Sequence, residues 1–170
     1  GLGGGSSNAA TTLWAINELL GNIATIDDLG SMGSVLGSDV PFFLVGGRAL
    51  GLGRGEEVYP LPEAAPRACV ILFPGEAMNT AQAYRLLRAP RLPLIRARPT
   101  IETFCGRTNS AGAAQLANDF EPLVFQRFPQ LAEAKKALLQ AGAETAGGSG
   151  SGSALFALFA DARRARRAAQ

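Results

Sequence analysis

The 170-residue sequence predicts an α+β fold, and three observations carry that reading. Apolar residues recur at helical spacing in long segments near both ends of the chain. One run, "CVILF" from Cys69, is rich in β-branched and aromatic residues and ends on Pro74 and Gly75, which reads as a buried strand. A second such run, "ALFALF", follows a glycine-serine loop at 147–153, so the second part of the chain has split β-α-β character.

The elements follow in order. "SSNAATTLWAINELLG" reads as a helix with Ser6, Ser7 and Asn8 as capping residues, Leu13, Ile16 and Leu20 on one face, and Gly21 at its stop. A second helix runs from Thr25 or Ile26 to Leu36, with Asp27 and Asp28 in its first turn and Gly37 at its close. Gly30 and Gly33 inside it weaken the pattern. In "GSDVPFFLVGG", Ser38 and Asp39 can cap a short apolar turn, with Pro41 tolerated only near its start. "RALGLGRGEEVYPLP" predicts a hairpin around Gly51, Gly53 and Gly55. The proline-bearing stretch "LPEAAPRA", 61–68, is the expected boundary, giving domains at 1–62 and 63–170.

In the second domain, Asn79 or Thr80 caps a helix through Leu87. Residues 89–99 read as a loop, and helical signals return at 100–105, 110–117 and 129–141. The last has Pro129 in its first turn, Leu131, Ala134 and Leu138 on one face, and Gly142 at its end. Asn118 and Asp119 read as the cap of a helix, with substrate-side polar groups as the alternative. The C-terminal "ADARRARRAAQ" reads as a helix whose arginines form a solvated face.

Composition excludes several chemistries. There is no histidine and only two cysteines, Cys69 and Cys105, so neither a zinc site nor a Ser-His-Asp or Cys-His pair can be assembled from this chain. Cys69 is expected to be a buried thiol, and a cytoplasmic setting fits. A net charge of +2 argues for no nucleic-acid partner. The apolar runs fall short of the roughly 20 residues that a membrane span needs, so no membrane partner is expected.

The chain opens on "GLGGGSSNAA". Glycines let a ligand approach the backbone, and the first N–H groups of a helix have no partner within it; together with the helix dipole they make an anion site. Ser6 and Ser7 add hydroxyl donors there. The P-loop pattern fails because Ser6 stands where it needs lysine, and the dinucleotide fingerprint needs a preceding strand, which these residues do not include, and an acid about 20 residues on.

"GLGGGSSNAA" resembles the phosphate-binding motif of the galactokinase, homoserine kinase, mevalonate kinase and phosphomevalonate kinase superfamily. Two further segments agree in order: "LGSDVPFFLVGGRALGLGRGE", 36–56, and "GGSGSGSALFALF", 147–159. The three-glycine form of the first motif with Asn8, and "SDVPFF", are similar to the branch that acts on 4-(cytidine 5'-diphospho)-2-C-methyl-D-erythritol, with homoserine kinases as the runner-up. The resemblance implies a two-domain kinase: part of a ribosomal-S5-like ATP domain, then a ferredoxin-like domain.

It also implies roles. Asp39 matches the catalytic aspartate, a general base toward the substrate hydroxyl; capping the turn before Pro41 is the structural alternative. Gly1, Leu2, Gly3, Gly4, Gly5, Ser6, Ser7 and Asn8 would hold the phosphates of ATP, with Mg as MgATP and no protein carboxylate on the metal evident. Gly150, Ser151 and Gly152 would close over the phosphate or substrate, with a plain linker as the alternative. Thr80 aligns with a threonine near the methylerythritol end, although helix capping explains it almost as well. The implied partner is that small-molecule substrate, bound by a monomer or weak homodimer. The resemblance further implies that the first third of such a kinase, with a lysine-bearing strand and the adenine and cytosine contacts, precedes Gly1, and that these residues alone are inactive. A catalytically dead nucleotide-binding relative is the remaining alternative.

Overall fold

The structure, a computed structural model, describes residues 1–76, 78–87 and 118–170. The loop expected at 89–99 and the helical signals at 100–105 and 110–117, with Cys105, lie outside the described residues. The chain forms two units, Gly3–Ala64 and Ala65–Gln170, the latter including Gly1–Leu2.

The first unit contains α1 (Gly4–Leu19), α2 (Ile26–Leu36), α3 (Val40–Val45) and a hairpin of β1 (Ala49–Leu52) and β2 (Glu57–Pro60). The start of α1 corrects the expectation for Ser6, Ser7 and Asn8. The N-cap is Gly3, left-handed at φ 67°, with no side-chain cap. Because glycine adopts that backbone without strain, the helix starts early and the two serines and Asn8 lie inside it. Its buried positions also differ from the predicted face: Ala10 and Asn17 are buried, whereas Ile16 and Leu20 are exposed. Asn17 closes the α1–α2 turn, its amide donating to the Ala24 carbonyl at 3.0 Å and its Oδ1 accepting the Ala24 N–H at 2.9 Å. A reciprocal pair of this kind keeps a buried amide satisfied, and the periodicity of apolar residues carries no sign of it.

α2 starts and stops as the sequence predicts, on a capping box between Thr25 and Asp28 and on Gly37. Gly33, which weakens the helix, has a packing reason: a Cβ there would stand 3.0 Å from Val40 Cγ1 of α3. The three helices enclose Ala10, Leu29, Val40 and Leu44, with Leu13 and Phe43 packed against them. In the hairpin, antiparallel pairing sets Leu50 opposite Tyr59 and Leu52 opposite Glu57 around the glycine turn, as expected.

The second unit comprises β3 (Ala68–Leu72), α4 (Thr80–Leu87), α5 (Glu121–Arg127), α6 (Pro129–Gln140), β4 (Thr145–Gly148), β5 (Leu155–Phe159) and α7 (Ala162–Ala168). The strands form one antiparallel sheet in the order β3-β5-β4, with Val70 and Ala146 both opposite Ala157. Leu155, Ala157 and Phe159 alternate toward the interior and are buried, and Ala157 and Phe159 share a core with Leu138 of α6 and Ala165 of α7. A second cluster joins Leu155 to Val124, Phe128 and Leu131. β4 has no counterpart in the sequence reading, because "TAGG" lacks the bulky residues that mark a strand.

β3 corrects another expectation. Ala68, Val70 and Leu72 are partly buried, but Cys69, Ile71 and Phe73 are exposed, so the thiol is not a core group. The reason is strand parity: successive side chains face opposite sides of a sheet whose packed helices pair with only one set. The arginine helix is as expected. Asp161 caps it by accepting the Arg164 N–H at 2.8 Å, Ala165 faces inward, and Arg163, Arg164, Arg166 and Arg167 are exposed.

Candidate functional site

The first unit presents a helix N-terminus made of glycine. Gly3 is fixed twice over: its φ of 67° disfavours any side chain, and a Cβ would stand 2.7 Å from the Phe43 ring. The contact seats the start of α1 on α3. Gly4 and Gly5 are different, since a Cβ at either would meet nothing within 4 Å. Packing does not require them to be glycine, and glycine in a helix costs up to about 1 kcal/mol relative to alanine. What their smallness provides is open access to the N–H groups of the first turn, whose first intrahelical bond runs from the Ser7 N–H to the Gly3 carbonyl at 2.9 Å. Ser6 and Ser7 are half-buried in the same turn and Asn8 is exposed. The donor set and the open backbone fit a phosphate.

Asp39 is the N-cap residue of α3 by position, yet its side chain makes no capping hydrogen bond. The side chain is exposed, with no hydrogen-bond or ion-pair partner among the described residues. Among the described residues the carboxylate therefore does not cap the turn before Pro41. The hairpin turn flanks it: at Gly55, φ 112°, a Cβ would lie 3.9 Å from Asp39 Oδ1.

In the second unit, Ser149 to Ala154 join β4 to β5, and this loop is held from several sides. The Ser149 N–H donates to the Ala154 carbonyl at 2.9 Å and the Gly152 N–H to the Ser149 carbonyl at 3.1 Å. Ser151 and Ser153 are buried. The Thr80 and Ser151 hydroxyls share a hydrogen bond of 3.0 Å, and the Ser153 hydroxyl donates to the Glu76 carbonyl. Gly152, φ 90°, is required: a Cβ would stand 2.7 Å from Val124. Thr80 thus faces the loop, while the cap of α4 is Asn79, whose Oδ1 accepts the Gln82 N–H at 2.9 Å. Gly1 belongs to this unit, its carbonyl accepting from the Ser149 hydroxyl at 2.5 Å.

Sequence reasoning missed three features here. Asn118 was expected to cap a helix, and its Oδ1 does accept the Phe120 N–H at 2.9 Å; its amide, however, donates to the carbonyls of Gly148 at 3.0 Å and Gly150 at 2.9 Å. Asp119 makes no cap, the N-cap position being Phe120. Glu121 accepts the Gly148 N–H at 2.7 Å and pairs with Lys135 at 2.7 Å. Tyr84 meets Phe120 edge to face, centroids 4.9 Å apart, in a hollow of about 570 Å³ that Gly148 and Gly150 also line. Of these, only the Asn-Asp pair beside a proline-started helix leaves a local signal in the sequence.

No group of three His, Cys, Asp or Glu side chains suited to a metal occurs among the described residues.

Two family profiles match: "GHMP kinases N terminal domain" over residues 1–47 and "GHMP kinases C terminal" over residues 97–170. The curated 4-diphosphocytidyl-2-C-methyl-D-erythritol kinase of Solibacter usitatus is 47% identical over 165 residues, covering 95% of this chain and 52% of that protein. A crystal structure of 4-(cytidine 5'-diphospho)-2C-methyl-D-erythritol kinase aligns with TM-score 0.73 at 36% identity, over 98% of this chain and 59% of that one. A homoserine kinase from Cytophaga hutchinsonii aligns with TM-score 0.70 at 28% identity, over 94% and 56%. The chain thus spans between half and three fifths of these relatives.

Proposed function

Because this chain belongs to the GHMP kinase family, we propose that it serves ATP-dependent phosphorylation of the 2-hydroxyl of 4-(cytidine 5'-diphospho)-2-C-methyl-D-erythritol, in isoprenoid biosynthesis. The observation that carries the proposal is the pairing, within one unit, of an open glycine helix start with a carboxylate that makes no capping hydrogen bond. Phosphoryl transfer asks a protein for positioning, charge neutralisation and a destination for the hydroxyl proton. The N–H groups at Gly4, Gly5 and Ser6 neutralise phosphate oxygens. Asp39 takes the proton as the acceptor oxygen bonds to the γ-phosphorus and the bond to the leaving ADP breaks. In this reading Mg would enter with the nucleotide, and the chemistry it would supply is to offset charge on the phosphates. The glycine loop of the second unit, with Ser151 and Thr80 on it, is read as the substrate or phosphate loop.

The test is ADP release by the full-length gene product, offered the cytidyl compound, mevalonate and homoserine in parallel, with Asp39→Asn as control. Release with the cytidyl compound alone is expected, falling about 10²- to 10⁴-fold in the control. Because the Asp39 side chain makes no hydrogen bond or ion pair among the described residues, the control should unfold at the wild-type temperature. Release with homoserine instead would move the assignment to that branch, and nucleotide binding without release to any acceptor would make this a binding relative.

A further inference from the structure

The loop between β4 and β5 connects two strands and bears glycines at φ 56° and φ 90°, which by themselves leave a chain free to rearrange. Its backbone hydrogen bonds can be followed one by one. The N–H groups of Ser149 and Gly152 are used within the loop, and that of Gly148 goes to Glu121. The carbonyls of Gly148 and Gly150 both go to one amide, that of Asn118. The N–H groups of Gly150 and Ser151 have no acceptor among the described residues. One side chain from outside the loop therefore takes two of its carbonyls, while adjacent donors are left for something else. Successive free N–H groups around a left-handed glycine form an anion-binding concavity.

We infer that Asn118, backed by the Glu121–Lys135 ion pair, is the positioning residue of this loop in phosphoryl transfer: by holding the Gly148 and Gly150 carbonyls it sets the direction of the Gly150 and Ser151 N–H donors. The inference rests on the kinase reading above and deepens it. Glu121 and Lys135 are both largely buried side chains, so the carboxylate that fixes Gly148 is itself fixed. Asn118 does two separable things. Its oxygen serves the turn into α5; its nitrogen serves the loop.

Asn118→Asp separates them. Aspartate keeps an acceptor for the Phe120 N–H but has no donor, and it sets a charge against two carbonyl oxygens. A residue needed only for the turn would be rescued by aspartate and damaged by alanine. A positioning residue of the loop would be damaged by both, aspartate at least as much. In the full-length gene product we expect kcat to fall 10- to 100-fold in Asn118→Asp, with the KM for ATP changed less than threefold, since misplaced donors are felt mainly in the transition state. Amide hydrogen exchange across 147–154, read by mass spectrometry without substrate, should accelerate at least tenfold in Asn118→Asp and stay at the wild-type rate in Glu133→Gln, a distant surface control. Wild-type kcat with unchanged exchange in Asn118→Asp would overturn the inference. Faster exchange with unchanged kcat would overturn the positioning role. A wild-type protein without turnover would sink the kinase reading and with it the catalytic role, while the exchange experiment would still decide whether Asn118 holds the loop.

Discussion

In the first glycine segment the residues that packing needs and the residues that packing leaves alone stand next to each other, whereas in the second almost every residue is held by something. A Cβ at Gly3 would run into the Phe43 ring, whereas one at Gly4 or Gly5 would meet nothing within 4 Å. Between Gly148 and Ser153, side chains from Asn118, Glu121 and Thr80 reach the loop, two of its serines are buried, and Gly152 abuts Val124. The difference follows from where each segment lies. A helix start is ordered by the helix itself, because its donors point outward along the axis once the first turn forms. A loop between two strands has no such internal frame, and its donors point usefully only if other elements hold its carbonyls. Two stretches that look alike as strings of glycine and serine thus reach order by different means.

Substitutions that add one methyl group sharpen this comparison, and the largest effect belongs to Gly152→Ala. Its φ of 90° is disfavoured for alanine, and the new Cβ would stand 2.7 Å from the buried side chain of Val124. We expect a loss of about 2–4 kcal/mol, measured by urea unfolding. Gly3→Ala should cost less, about 1–2 kcal/mol, because the clashing atoms are the edge of a half-buried phenyl ring that can swing aside. Gly4→Ala should reverse the sign: no clash, a more stable helix by up to about 1 kcal/mol, and nucleotide affinity, read by calorimetric titration, lowered roughly tenfold as the methyl group stands where a phosphate approaches. If Gly4→Ala instead destabilises the protein and leaves affinity unchanged, the contrast between the two segments fails.

The smallest effect lies away from both segments and tests the frame of the first. The Thr25 hydroxyl and backbone N–H hold the Asp28 carboxyl below its ordinary value of 3.8. A carboxyl lowered on folding contributes stability that is present above its ordinary pKa and is lost as pH falls through the lowered value. Acid unfolding should therefore begin at slightly higher pH in Thr25→Ala, followed by helical circular dichroism between pH 5 and pH 2, with a cost near neutrality of about 1 kcal/mol from the lost cap.

Local signals carried a large part of the fold. Thr25, Asp28 and Gly37 bound α2 because capping is decided within four residues. The hairpin around Gly53 and Gly55, the helix from Pro129 and the strand ending at Phe159 are legible for the same reason. The start of α1 was misread because serine and asparagine are good caps in general, and nothing local tells that Gly3 takes the left-handed backbone first. The burial of Cys69 was misread because a five-residue apolar run does not say how many faces of its sheet are covered. β4 was missed because "TAGG" is a strand only by virtue of its pairing with β5.

The sequence by itself determined the class of fold, the family, and the identity of Asp39 and the glycines as the residues to look at, since motifs and caps are written in short, contiguous patterns. Only the tertiary structure decided which of those glycines are required by packing, that Asp39 is released from capping, and that Asn118 reaches across 30 residues to Gly148. These are contacts between segments distant in the chain. Their energies depend on distances that no local pattern encodes, and the fold alone brings the atoms within hydrogen-bonding range.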